Sequence, residues 1–353
     1  MTCSTGATRQ GGFILATTLW MMAIVTVLAT LFHGYVEAQL GRAVLVKQQM
    51  QDQLDMLNTG STVHYLLATR RITLGGLTVS RGAQQGFTDA DGNVLLDAIG
   101  GELRLDGTRY RGTGSASFSI QDQAGLLGAN SLSAPSVLAK LLADGAGTQR
   151  ARQLSASLAD YIDENVNKRL NGAEAAEYRS RGMPPPPNWY LRSDVEIGSV
   201  LGWADWLASP EGAQWQEWLA ISHLGVVNVN TAPAGLLALF LGIDIREAEM
   251  LVQARATYPF RSLDGVAEKL NRLNRWEEER FRFYPDDRLE VQLWCEACNY
   301  GIVQSLELTA NGLYGPWLMD YSYRKSITKE SAGREIDARA APSIFAKTLF
   351  VAE

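Results

Sequence analysis

The residues best suited to bind an ion lie in DENVNKRLNGAE, Asp163 to Glu174. Asp163, Asn165 and Asn167 alternate, and Glu174 stands eleven residues after Asp163. Calcium takes about six to eight oxygens at about 2.3–2.6 Å, and a loop offering them at positions 1, 3, 5 and 12 wraps it. The spacing therefore points to a calcium loop with Asp163, Asn165, Asn167 and Glu174 as ligands. The sixth position holds Lys168 where such loops carry glycine, and Gly172 is the alternative turn residue. Two asparagines in place of aspartates lower the charge, so the expected affinity is weak. Asp160, Glu164 and Glu177 stand beside the set as secondary ligands or plain surface. The ordinary alternative is a helix end with solvated acids.

Other reactive residues are few. Of three cysteines, Cys3 is near the start and Cys295 and Cys298 form one CxxC pair. One such pair is half of a zinc set. A disulfide between Cys295 and Cys298 needs a turn, because residues three apart in a straight strand point to opposite faces. Disulfide, free thiols and metal remain the alternatives. The histidines, His33, His64 and His223, are scattered, and no nucleophile elbow, phosphate loop or paired-histidine zinc motif is present. No enzyme is expected.

Elements at several places could position such groups. VNVNTAPAGLLALFLGIDIREAEMLVQARA reads as a short strand, an N-cap at Asn230-Thr231, a helix from Pro233, a turn at Gly242 and a second helix from Ile245 to Arg255. This resembles a helix-hairpin-helix or SAM-like module, over residues 226–270. Such modules present backbone N–H groups to phosphate. Here Asp244, Glu247 and Glu249 outweigh Arg246, and the chain's net charge is −6. Both argue against nucleic acid as a partner. Ahead of the module, GMPPPPNW is a stiff connector, and Trp203, Trp206, Trp215 and Trp218 read as packing residues. Ser115 to Gln121 and the stretches from Leu289 onward alternate like strands, with Gly301, Asn311-Gly312 and Gly315-Pro316 as turn signals.

Phe13 to Phe32 is twenty residues without a charge. As a helix it is roughly 30 Å long, the thickness of a bilayer's hydrocarbon core. Apolar residues at helical spacing continue through Val36, Leu40, Val44, Met50, Leu54 and Leu57. Gly60 is a candidate interruption and Gly75-Gly76 the expected end. Arg9 precedes the apolar run while Glu37, Arg42 and Lys47 follow farther off, which favours a cytoplasmic N-terminus. A cleaved secretory signal and a simple anchor are the plainer readings. A short polar leader ending in Gly11-Gly12, directly before Phe13, resembles a type IV prepilin leader, cut between Gly12 and Phe13 with the helix retained. Most prepilins carry Glu at the fifth mature position, and here that position is Thr17. Together with DYIDENVNKRLNGAEAAEY, VNVNTAPAGLLA and the terminal strands, the missing Glu resembles the minor pseudopilin K family of type II secretion systems.

That resemblance implies an α+β fold: an N-terminal membrane-spanning helix and a pilin-like antiparallel sheet interrupted by a large α-helical insertion containing the hairpin module. The implied domains are a leader at 1–12, a transmembrane and stem helix at 13–75, and β structure at 76–123. An insertion at 124–284 and further β structure and tail at 285–353 follow. It implies N-methylation of Phe13, calcium as cofactor, and a single pass through the bacterial inner membrane with most of the chain in the periplasm. The implied partners are other minor pseudopilins, the major pseudopilin, the prepilin peptidase and secreted protein substrates. The implied role is to start or cap a pseudopilus at its tip. The alternative is a membrane-anchored, competence-type DNA-binding protein using the hairpin module. A peptidase that grips the chain in extended form needs Gly12, which has no Cβ. Gly12→Val is expected to leave the precursor uncut, as read by the intact mass. A Gly12→Val product that still begins at Phe13 would contradict the leader.

Overall fold

The computed structural model describes residues 13–79, 97–131, 138–139, 142–295, 298–310, 312–313 and 315–326. The expected leader at 1–12, the expected turn residue Asn311 and the tail from 327 lie outside the described residues. Residues up to Leu54 form one unit and those from Asp55 another. Helix α1 spans Phe13–Thr69.

Within the first unit α1 is apolar, and its large side chains face outward; Trp20 is 72% exposed. It is long and apolar enough to cross a membrane. A helix hides its own backbone groups, and the threonines in this run hide theirs the same way. The hydroxyls of Thr17 and Thr18 donate to the carbonyls of Ile14 and Leu15, both at 2.9 Å. Those of Thr26 and Thr30 donate one turn back, to Met22 and Thr26.

In the second unit the strands are β1 (Ile72–Thr73), β2 (Gly76–Leu77), β3 (Asp106–Arg111), β4 (Ala116–Asp122), β5 (Leu127–Gly128), β6 (Leu219–Ala220), β7 (Val227–Asn228), β8 (Phe281–Arg282), β9 (Arg288–Cys295), β10 (Tyr300–Leu308) and β11 (Trp317–Ser326). Five of them make one antiparallel sheet in the order β11-β10-β9-β4-β3. The central pairing joins β4 to β9, from Ala116↔Cys295 to Asp122↔Leu289. These two neighbours are far apart in sequence, whereas the other pairings join consecutive strands, and everything between Asp122 and Arg288 is an insertion. Val63, Leu66 and Leu67 of α1 share a buried cluster with Phe118, Ile120, Val291 and Leu293. Each such side chain contributes about 1.5–3 kcal/mol when fully buried. Gly60 does not interrupt the helix, contrary to the sequence expectation. It lets the helix approach the sheet: a Cβ there would lie 2.9 Å from Leu293 Cδ1. The helix ends at Thr69, ahead of Gly75-Gly76; Leu74 and Gly75 make the tight turn between β1 and β2, and Gly76 opens β2. Gly301 lies inside β10, not at a turn.

The insertion is mainly helical, with α2 (Ala143–Ala146), α3 (Thr148–Ile162), α4 (Ala175–Ser180), α5 (Trp203–Leu207), α6 (Trp215–Trp218), α7 (Ala234–Leu241), α8 (Ile245–Arg255) and α9 (Leu263–Lys269). Its own core contains Tyr178, Trp203, Trp206, Trp215 and Trp218 with Leu236, Leu237 and Leu251. Trp203 Nε1 donates to Leu154 O at 2.9 Å, so its indole is both packed and satisfied. Two-residue parallel pairings, β5 with β6 and β7 with β8, are the only strand pairings described within it.

Two buried polar centres join the insertion to the sheet. Asp122, at the end of β4, is fully buried. One of its oxygens accepts from Ala124 N at 3.0 Å and Asp286 N at 3.1 Å. The other accepts from Asn228 Nδ2 at 2.8 Å and Thr231 Oγ1 at 2.7 Å. Burial pushes its carboxyl up to about 6, although all four donors favour the anion. At the second centre, Arg255 at the end of α8 donates to Val229 O at 2.7 Å and Ala232 O at 2.6 Å, and its Nη2 lies 3.4 Å from Asp106 of β3. Burial works against the Asp106 anion, but Arg255 and Arg104 beside it hold the carboxyl below its usual range. Arg255→Met leaves the Val229 and Ala232 carbonyls without their donor, while Asp106 keeps Arg104 and Thr108. Each unsatisfied buried acceptor costs about 1–3 kcal/mol, so the variant is expected to lose about 2–6 kcal/mol in urea unfolding. A loss under about 1 kcal/mol would mean that the two carbonyls find other donors.

Candidate cation site and helical hairpin

Helix α3 stops at Asp163, whose extended backbone (ψ 159°) breaks the helical run. The loop that follows uses its own acids and amides. Asp163 Oδ1 accepts from Asn165 N at 3.2 Å, and Asn165 Oδ1 accepts from Asn167 N at 2.8 Å. These successive side-chain turns are the local reason for the alternating Asp/Asn pattern. Asn188 Nδ2, just after the proline run, donates to Asn165 O at 2.7 Å and ties the loop to the connector. The loop closes at Glu174, which caps α4 in a reciprocal box with Glu177.

The acid at the middle of this arrangement is Asp160, which the 1, 3, 5, 12 spacing leaves out. It is fully buried and accepts from the backbone N–H of Arg169 at 3.1 Å and from Arg169 Nη1 at 2.8 Å. Arg169 Nη1 also pairs with Asp163. Gly172 lies against Asp160, and a Cβ there would be 1.9 Å from Oδ2. Glu174 is 7% exposed, and its Oε1 has no hydrogen-bond partner. Burial and the neighbouring Asp160 and Asp163 charges raise the Glu174 carboxyl. Asn165 and Asn167 lie on the exposed side of the loop. Glu177 is bound to Lys168 at 2.6 Å, and that partner holds its carboxyl down at about 2.

The structure thus gathers Asp160, Asp163 and Glu174, with Arg169 among them. No three carboxylates of this segment place oxygens within 4.8 Å of one another. The donors are hard oxygens, and the buried Glu174 oxygen lacks a partner. By donor chemistry the set suits a hard divalent cation rather than a soft metal, while its oxygens as placed do not converge on one point. Asp160 was legible as a nearby acid, but the helical register that turns it inward was not.

Cys295 closes β9 and Cys298 sits in the turn before β10, where its N–H donates to Cys295 O at 3.1 Å. The two are joined as a disulfide, with Cα atoms 5.1 Å apart. The histidines are dispersed. His64 lies tilted against Trp317 at 5.9 Å, and His223 meets Tyr190 edge-on at 4.5 Å.

Helices α7 and α8 are joined at Gly242, which adopts φ 62°. Pro233, not Asn230-Thr231, is the N-cap of α7. Those two residues serve the junction: Asn230 bonds Phe260 and Phe283, and Thr231 bonds Asp122. The N–H groups of the turn are taken within the chain. Ile243 N donates to Ala238 O, Asp244 N to Glu247 Oε2 and Arg246 N to Asp244 Oδ1. A phosphate would have to displace these acceptors, two of them carboxylates.

These features define an α+β protein with one long apolar N-terminal helix and an antiparallel sheet interrupted by a helical insertion. Two sequence-family models, both described as type II secretion system (T2SS), protein K, match residues 119–208 and 227–274. Over these two stretches the chain is similar to the type II secretion system protein K family. Its fold resembles a chain in the crystal structure of the GspK-GspI-GspJ complex from the enterotoxigenic Escherichia coli type 2 secretion system. The identity is 15% and the TM-score 0.52, covering 80% of this chain and 99% of that one. Curated proteins give no match.

Proposed function

We propose that this protein is a minor pseudopilin at the tip of a periplasmic pseudopilus, where it starts or caps the assembly that exports proteins across the outer membrane. The observation that carries this reading is the pairing of an apolar run, Phe13 to Phe32, that holds no carboxylate with a sheet that carries a large insertion. A carboxylate in a lipid-facing helix costs energy unless a cation meets it. In pilin-type assembly that cation is the terminal amine of a subunit already in place. Thr17 turns its hydroxyl onto Ile14 O and offers no charge to such an amine. A tip subunit has no preceding subunit to meet, so the substitution costs it nothing there.

On this reading the prepilin peptidase releases Phe13 as an N-methylated terminus. The helix stays in the inner membrane and the rest of the chain is periplasmic. The partner set is other minor pseudopilins, supported by the solved relative's occurrence in a complex with GspI and GspJ. The major pseudopilin follows below, and secreted proteins meet the insertion. Calcium is held by Asp160, Asp163 and Glu174, with Asn165 and Asn167 on the loop beside them. No catalytic role is assigned. Co-expression with the other minor pseudopilins, followed by crosslinking and electron microscopy, is expected to give discrete complexes and no homopolymer. Long filaments of this subunit alone would contradict the role.

A further inference from the structure

The acid cluster already contains a cation of its own. Arg169 reaches the buried Asp160 through both its backbone N–H and its guanidinium, and the guanidinium also touches Asp163. The two ends of this contact differ in environment. Asp160 is fully buried, whereas the Arg169 side chain is 46% exposed. The acid therefore cannot leave for water, but the guanidinium can swing out on its aliphatic stem. Glu174 Oε1, buried and unpaired, is a third anionic oxygen that Arg169 does not satisfy. Two of the three carboxylates share one positive group, and Lys168 is committed to Glu177.

We propose that Arg169 is the resident counter-ion of this site, and that its guanidinium and a calcium ion occupy the carboxylates in turn. Calcium bound by Asp160, Asp163 and Glu174 takes the oxygens that Arg169 now holds, and a guanidinium is repelled by the divalent ion. Ion entry therefore releases Arg169 to solvent, while its backbone N–H keeps the loop on Asp160. The arrangement keeps a buried carboxylate paired when calcium is absent. It also weakens calcium binding by the free energy of the displaced ion pairs. The inference rests on the calcium reading of the site.

The test uses the full-length protein in detergent micelles, titrated with calcium chloride and melted in chelator and in millimolar calcium. Arg169→Gln is expected to melt lower than the parent in chelator and to bind calcium roughly tenfold more tightly. Its melting gain with calcium should therefore exceed the parent's. Arg169→Lys, which keeps a charge but loses the forked donor, should fall between the two. It gives the same readout should Arg169→Gln fail to fold. Calcium binding by the parent with equal or weaker binding by the Arg169 variants would overturn the exchange and leave the calcium site standing. No calcium response in the parent and in either variant would overturn both.

Discussion

The fold depends on how the chain leaves and re-enters its sheet. β4 ends at Asp122, and its partner β9 begins at Arg288 after the whole insertion has intervened. Asp122 lies at that point with four donors on two oxygens. Two donors come from the insertion's strand–helix corner at Asn228 and Thr231. One comes from the exit at Ala124, and one from the return at Asp286. A buried anion so placed is costly unless every lone pair is used, so it selects the one geometry in which all four donors converge. Arg255 and Asp106 add a second fastening from α8 to β3. With these in place the insertion keeps its own tryptophan-rich core, and the sheet keeps its own against α1.

This separation of cores bears on function. The insertion and the sheet each bury their own apolar residues, with Tyr321 of β11 reaching across to pack against the insertion's core. The loop of Asp160 to Glu174 belongs to the insertion and is built from short side-chain turns around one buried acid. The edge strand β11 alternates Tyr321 and Tyr323 with polar and charged neighbours, a pattern that discourages edge-to-edge aggregation.

The sequence was most readable where periodicity is strong. The apolar run from Phe13 is a helix, Ala116–Asp122 and the strands after Arg288 form a sheet, and Ile245–Arg255 is a helix with Asp244 as its cap. It was least readable where a residue's role is set by distant contacts. Gly60 looked like a helix breaker because its need for close approach to Leu293 lies 233 positions away in the chain. Asn230 and Thr231 looked like a helix cap because that is their commonest local use; here Phe260, Phe283 and Asp122 claim their side chains. At the acid cluster, spacing pointed to Asp163 and Glu174 but not to Asp160, whose burial follows from the packing of α3. Arg169 gave no sequence signal, because a cation between acids reads as an ordinary surface charge.

Amide hydrogen exchange on Asp122→Ala measures most directly whether this carboxylate couples the insertion to the sheet. The account predicts that protection falls together at Ala124 and Asp286 and in the Asn228–Thr231 corner, and that it also falls at the Asp122↔Leu289 end of the β4–β9 pairing. Loss confined to Ala124 and Asp286, with the corner and the sheet end as protected as in the parent, would contradict it.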